Sequence, residues 1–207
     1  SKFYYIRYGL KKAMKKFILY TSLGLATLGS SEGRTSLTHF DGSYLGARVG
    51  YFSEQTKVRF NTNVLKVKPS GFTGLLAAGY GRTLHTFYMG GELTLNYRTT
   101  STSLNDQKLG YSYGFGFTPI LGYPLSNTLL AGVGLSIDYM FSRNRLMFKR
   151  TVDCTPKIIL KAVIGKNLIL RGDIGYQFAL KTVTAKEIKR LEKPKAFIIT
   201  VGFNYRF

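Results

Sequence analysis

The sequence predicts an all-β fold, an eight-stranded antiparallel up-and-down transmembrane β-barrel preceded by a cleavable signal peptide. Three observations predict it. From Gly42 onward apolar and small or polar residues alternate with period two, the strand period. The alternating segments run to about 10–14 residues, where a soluble strand has about five or six and a tilted membrane strand needs about 9–11. The connections between them alternate long and short, the asymmetry of barrels with short turns on one side of a membrane and longer loops on the other.

The first element is an address. Residues 1–13 read as an upstream extension of a start at Met14. Residues 14–31 then have the layout of an export signal. Lys15 and Lys16 supply its charge, Phe17 to Leu28 its apolar core, and Gly29, Ser30 and Ser31 small residues for cleavage. The core is too short to cross a bilayer as a helix. Residues 32–41 form a lead-in, and residues 42–207 the barrel.

The first strand sets Leu45, Ala47, Val49 and Tyr51 against Gly46, Arg48 and Gly50. A second, less regular segment spans 73–81, where Leu75 and Leu76 are apolar on both faces. The third sets Phe87, Met89, Leu93, Leu95 and Tyr97 against Tyr88, Glu92, Thr94, Asn96 and Arg98. The fourth opposes Tyr111, Tyr113, Phe115 and Phe117 to Ser112 and three glycines. The fifth opposes Leu129, Val133, Leu135, Ile137, Tyr139 and Phe141 to Leu130, Ser136, Asp138 and Met140. The sixth, 157–165, is again apolar on both faces. The seventh opposes Leu168, Leu170, Ile174 and Tyr176 to Arg171, Asp173 and Gln177. The eighth sets Phe197, Ile199, Val201, Phe203, Tyr205 and Phe207 against Thr200, Asn204 and Arg206. Short turns are expected near 82–85, 124–127 and 165–167, and long loops at 53–71, 99–108, 143–156 and 180–194.

Period two alone does not say which face meets lipid. The non-apolar parity is rich in Gly and Ser, a poor exterior for a soluble calyx but a good filling for a narrow lumen. The aromatics sort toward the two ends of the strands. Tyr51, Tyr97, Tyr111, Tyr139 and Tyr176 lie at the long-loop ends, and Tyr44, Tyr80, Phe87, Tyr123, Phe203, Tyr205 and Phe207 at the other. Val49, Leu93, Leu95, Val133, Leu135, Ile174 and Val201 lie between. Two girdles around an apolar band are the pattern of a lipid-facing wall.

On this architecture, and on a last strand of alternating aromatics ending Phe203-Asn204-Tyr205-Arg206-Phe207, the chain resembles the eight-stranded outer-membrane barrels of the OmpA/OmpX/Opa kind, a porin-type barrel domain. The resemblance implies a bacterial outer-membrane location. It also implies that Phe203, Tyr205 and Phe207 form the signal read by barrel-assembly machinery during biogenesis.

The inward parity carries Arg48, Glu92, Arg98, Asp138, Lys161, Arg171, Asp173 and Arg206. Eight strands leave an interior just wide enough to fill with side chains. Glu92, Asp138 and Asp173 are each expected to meet an Arg or Lys there, because isolated buried charges are costly. The expectation is an electrostatic plug, and the alternative a narrow ion-conducting pore.

Catalysis is not expected. His39 precedes the first strand and His85 lies in a short turn, and no Ser–His, carboxylate-pair or metal-spaced cluster accompanies them, so the barrel-type lipid A-modifying enzymes are a weaker alternative. No metal or cofactor is implied. Cys154 is the one cysteine and has no intramolecular partner.

The 30 Lys and Arg against 10 Asp and Glu give +20, a charge that first suggests nucleic acid. Cleavage near Ser31 would remove Lys2, Arg7, Lys11, Lys12, Lys15 and Lys16 and leave +14. Much of the remainder falls on the long loops: Lys57, Arg59, Lys66 and Lys68 against Glu54; Arg143, Arg145, Lys149 and Arg150 against Asp153; Lys181, Lys186, Lys189, Arg190 and Lys193 against Glu187 and Glu192. Thr184 to Glu187 offers a capping box for one helical turn. A basic rim would steer anionic groups toward it. The expected partners are outer-membrane lipid and lipopolysaccharide phosphates, or an acidic host or environmental glycan. Nucleic acid is not expected, and a monomer is. The function expected is structural or adhesive.

Overall fold

In a computed structural model the described residues are 39–60, 63–102, 108–142, 150–183, 189–190 and 194–207. The extension, the export segment and most of the lead-in lie outside them. So do Arg143, Arg145, Lys149, Lys186, Lys193 and the 184–187 capping box.

Eight long strands form the wall: β1 (Gly42–Phe60), β3 (Pro69–Leu84), β4 (Phe87–Thr102), β5 (Lys108–Pro124), β6 (Leu129–Ser142), β7 (Arg150–Val163), β8 (Leu168–Val183) and β10 (Lys195–Arg206). Each pairs antiparallel with its neighbour in the chain, and β10 returns to pair with β1 from Tyr44↔Arg206 to Gln55↔Lys195, closing the sheet. Closure leaves no unpaired edge for hydrocarbon to meet. Two short strands, β2 (Asn63–Val67) and β9 (Lys189–Arg190), lie outside this ring and pair with the far end of β1.

The short turns sit where Gly, Ser and His punctuate the pattern. Leu84 pairs with Phe87 across His85 and Thr86, and His85 takes the positive φ (55°) that a two-residue hairpin turn demands. Between β5 and β6 the Ser126 hydroxyl accepts the backbone N–H groups of Thr128 and Leu129 at 3.2 and 3.1 Å. Between β7 and β8 the N–H groups of Ile164 and Gly165 both reach Leu168 O.

The strands exceed the alternating segments by several residues. Hydrophobic alternation stops where the wall leaves the bilayer, but backbone pairing does not. The 53–71 loop is therefore largely a β-hairpin of β1 and β2. Arg150, Asp153 and Lys181, expected in loops, are strand residues of β7 and β8.

The outer face is apolar. Val49 (67 % exposed), Leu93 and Leu95 (both 63 %), with Val133, Leu135, Ile174 and Val201, form a continuous band. At the long-loop end aromatic neighbours pack across strands: Tyr51 on Phe72, Tyr97 on Tyr111, Tyr113 on Phe141 and Phe115 on Tyr139, with centroids 5.5–6.4 Å apart. Phe87–Tyr123 and Tyr205–Phe207 mark the other end. Soluble monomers rarely expose a contiguous apolar patch beyond about 600 Å². A band encircling the molecule between aromatic girdles is a lipid-facing wall, and a closed antiparallel barrel of this build with alternating short and long connections is an outer-membrane β-barrel. One girdle assignment is corrected. Tyr44 is buried (4 % exposed) and belongs to the lumen, because it has the parity of Gly46 and Arg48.

Candidate functional site: the lumen and the long-loop rim

Inside the barrel the inward parities stack in layers. At the short-turn end Phe40, Tyr88, Ile120, Leu130, Ile159 and Ile169 form a packed apolar cluster with Val163 against it. Ile159 and Leu130 explain why strand ends in this region read as apolar on both faces: one face meets lipid and the other fills the lumen. Glycines make the room. A Cβ on Gly81 would run into the Tyr88 ring and hydroxyl, and one on Gly116 into the Asp138 carboxylate.

Above this cluster lies a closed ring of four charges. Arg48 Nη1 donates to Asp173 Oδ2 at 2.8 Å, and Arg48 Nη2 lies 2.6 Å from Glu92 Oε1, an ion pair whose N–H is not aligned for a hydrogen bond. Arg171 Nη1 donates to Glu92 Oε2 at 2.5 Å, and Arg171 Nε and Nη2 donate to the two oxygens of Asp173 at 2.7 and 3.1 Å. The Tyr44 hydroxyl adds a bond to Glu92 Oε2 at 3.0 Å. Both guanidinium groups and the Glu92 carboxylate are fully buried. Two carboxylates against two guanidiniums make the ring neutral, and each charge has two opposite partners, the condition under which buried ions are tolerated.

The remaining lumen residues take other partners than expected. Asp138, expected against a cation, accepts a hydrogen bond from Asn96 Nδ2 at 2.8 Å. Lys161 donates to the Tyr88 hydroxyl at 2.9 Å, and its ammonium stands 4.3 and 5.1 Å from the Tyr88 and Tyr44 ring centroids, a cation held by aromatic faces. Arg98 stands over the Phe52 ring at 5.6 Å. Arg206 is corrected from the lumen network to the rim. It is half-exposed at the short-turn end, and its Nη2 donates to Lys166 O at 3.2 Å. Asp153, expected in the third loop, is buried on the inward face, where Gln177 Nε2 donates to it at 2.5 Å.

Sequence reading missed Tyr44, Lys157 and Asp153 as lumen groups. Parity alone could have found the first two. Tyr44 precedes Arg48 by four residues and Lys157 precedes Lys161 by four, both even steps along one strand. The three-residue apolar run at 158–160 hid the second.

Two small cavities lie toward the long-loop end. One, of about 30 Å³, is lined by Asn96, Asp138, Lys157 and Asp173; the other, of about 50 Å³, by Phe52, Met140, Asp153 and Gln177, with Arg98 reaching both. Their polar linings and volumes suit a few waters and nothing larger. The lumen is thus polar in its outer half, ion-paired in the middle and packed with apolar side chains at the short-turn end.

Among the described side chains at the long-loop rim, Lys66, Lys68, Arg150, Lys181 and Lys195 are exposed cations. Of the described acids at this end, Asp153 is buried and Glu54 half-buried. Arg150 pairs directly with the girdle residue Phe141, and Lys181 with Val152, which in turn opposes Tyr139. These two cations therefore stand at girdle level on the outer wall. Lys57 and Arg59 lie on β1, Lys66 on β2, and Lys189 and Arg190 on β9, while Lys68 follows β2. Phe203 and Tyr205 on the closing strand, and Phe207 just after it, are all exposed. His39 and His85 are exposed turn residues, and Cys154 is a buried free thiol.

No protein-family model matches the sequence, and no curated protein matches it. Solved structures similar to it in shape are outer-membrane barrels of distant sequence. The Neisserial surface protein A (NspA) is 14 % identical with a TM-score of 0.49, over 81 % of this chain and 98 % of that one. The outer membrane protein OprG from Pseudomonas aeruginosa is 12 % identical with a TM-score of 0.46, over 82 % and 98 %. Ail, the attachment invasion locus protein of Yersinia pestis, solved in complex with the heparin analogue sucrose octasulfate, is 15 % identical with a TM-score of 0.36, over 80 % and 99 %.

Proposed function

We propose that the protein is a non-enzymatic, non-conducting outer-membrane barrel with a structural or adhesive role, whose basic long-loop end contacts anionic surface groups. The observation that carries the reading is how the charge is partitioned. Arg48, Glu92, Arg171 and Asp173 are buried against each other in the lumen, so these four charges are not available to a ligand. The exposed cations at the long-loop end are not matched by exposed acids among the described residues there. A field of one sign at one end of a molecule steers polyanions toward that end.

Two anion sources suit two heights. Arg150 and Lys181 flank the aromatic girdle, the level of lipopolysaccharide phosphates, where a long cationic side chain keeps its stem on the apolar wall and its head among headgroups. Lys66 and Lys68 lie farther out, where an acidic glycan would be met. The apolar cluster across the short-turn end supports a closed lumen rather than a pore.

The test is a salt series. Protein refolded in detergent should bind both immobilised heparin and lipopolysaccharide-bearing vesicles at low ionic strength, and binding should weaken as salt shortens the Debye length from about 30 Å at 0.01 M to about 8 Å at 0.15 M. Absence of binding to both, or binding indifferent to salt, refutes the reading.

A further inference from the structure

The smaller of the two lumen cavities, about 30 Å³, has an unusual wall. Arg98, Lys157, Thr155, Thr200, Asn96 and Asp138 line it, and it touches Asp173 of the charge ring. Strand parity brings them together: Asn96 and Arg98 are two apart on β4, Thr155 and Lys157 two apart on β7, and Thr200 on β10 lies opposite Asp173. Arg98 Nε and the hydroxyl oxygens of Thr155 and Thr200 have no hydrogen-bond partner among the described residues. All three side chains are more than nine-tenths buried. Arg98 rests on the Phe52 ring, and among the described residues neither it nor Lys157 stands in an ion pair. Asp138 Oδ1 is taken by the Asn96 amide. Glu54 and Asp153 line the other cavity.

We propose that this cavity is a binding site for one chloride ion. Charge balance and donor count both lead there. The Asp173 carboxylate is already matched by Arg48 and Arg171, so among the described residues the wall sets two cations, Arg98 and Lys157, against Asp138. One positive charge is left over, and an uncompensated charge inside a protein is costly. A single monovalent anion cancels it. Arg98 Nε and the Lys157 ammonium can only donate hydrogen bonds, and the Thr155 and Thr200 hydroxyls can be turned to donate. A water molecule has two lone pairs to offer and no charge, whereas an anion accepts from all four groups through stronger, charge-assisted bonds.

Size selects among anions. Space for a few waters accepts a spherical halide but not a sulfate or a phosphate. The donors come from β4, β7 and β10, none of which neighbours another in the wall, so the bound ion ties together strands that share no ladder. Binding should therefore register as stability of the folded barrel. The site is independent of what the basic rim contacts, because none of the rim's exposed cations lines it.

The experiment follows urea unfolding of the full chain, refolded in detergent, as gluconate is exchanged for chloride at constant sodium and constant ionic strength. Gluconate is too large for the cavity. The parent's unfolding midpoint should rise with chloride, as for any ligand that binds only the folded state, and bromide should substitute for it. Thr200→Val keeps the shape and removes one donor. It should weaken the halide affinity read from this dependence about tenfold, the usual effect of losing a hydrogen bond to a charged group. Arg98→Gln removes the excess charge and should abolish the dependence, while Lys66→Gln/Lys68→Gln, confined to the rim, should retain it. Crystals of the parent grown in bromide should show an anomalous peak between Arg98 and the two threonine hydroxyls. A midpoint indifferent to chloride, a dependence unchanged in Thr200→Val and Arg98→Gln, or bromide peaks confined to the rim would each overturn the site. So would a midpoint that follows sodium, tested against choline at constant chloride, since it assigns the cavity to a cation held by Asp138. Heat-modifiable migration checks folding, and if Arg98→Gln does not fold, Thr200→Val and the bromide peak decide.

Discussion

Glu92 is the residue on which the lumen ring turns, since it binds Arg48, Arg171 and the Tyr44 hydroxyl. Replacing it by Gln leaves two buried guanidiniums sharing Asp173 alone. Removing one partner of a buried pair typically costs about 3–5 kcal/mol. Glu92→Gln should therefore unfold at clearly lower urea concentration than the parent, by about 3 kcal/mol; a difference under 1 kcal/mol would mean that the ring is structurally idle. Lys161 makes the opposite case. Its described partners are a hydroxyl and two rings, so Met at this position loses one hydrogen bond and no ion pair. Lys161→Met should be neutral or stabilising in the same unfolding experiment, and a loss above about 2 kcal/mol would reveal a charge role that the geometry does not contain. At this scale the sequence was legible only in part. Parity placed Arg48, Glu92, Arg171 and Asp173 inside, but pairing depends on how far each strand is staggered against its neighbours. The same parity carried Arg206 too far, because a strand's last residue is at the rim and not in the lumen.

Strands were easy to find and hard to end. Within the bilayer the two faces meet lipid and packed side chains, so hydrophobicity reports the strand directly. Beyond the girdle both faces meet water, the alternation vanishes, and pairing continues unseen; hence β1 reaches Phe60 and the first long loop is a hairpin. The two irregular segments have a local cause as well. Ile159 packs in the lumen cluster while Ile158 and Leu160 face outward. The wall itself gives a graded prediction. Leu93 lies in the middle of the band on β4, and Tyr97 on the same face lies in the girdle. Arg at Leu93 should cost about 2–4 kcal/mol in bilayer unfolding, and Arg at Tyr97 about 0–1 beyond the loss of the ring's packing on Tyr111. Equal costs at the two depths would contradict the placement of the bilayer.

For the molecule as a whole, the charge that suggests nucleic acid when counted is resolved by where it stands. The four central charges Arg48, Glu92, Arg171 and Asp173 neutralise one another in a lumen whose short-turn end is filled by Tyr88, Leu130, Ile159 and their neighbours, and five described exposed cations stand at the long-loop rim. On the proposed closed-lumen reading the folded protein should be silent in planar bilayers; steady single-channel currents from the parent chain would favour the pore reading instead. What the sequence could not show was the extent of the sheet beyond the girdle, where Arg150 and Lys181 stand opposite Phe141 and Val152 and β2 and β9 pair with the end of β1. That arrangement depends on the pairing of β9 with β1, between residues more than a hundred positions apart. The most direct test of the account is electrophoretic. Refolded in detergent and loaded without boiling, a closed lipid-facing barrel resists the detergent of the gel and runs ahead of its boiled, unfolded form. The account predicts two bands of different mobility that interconvert on heating. One mobility with and without boiling, from protein that remains dispersed without detergent, would contradict it.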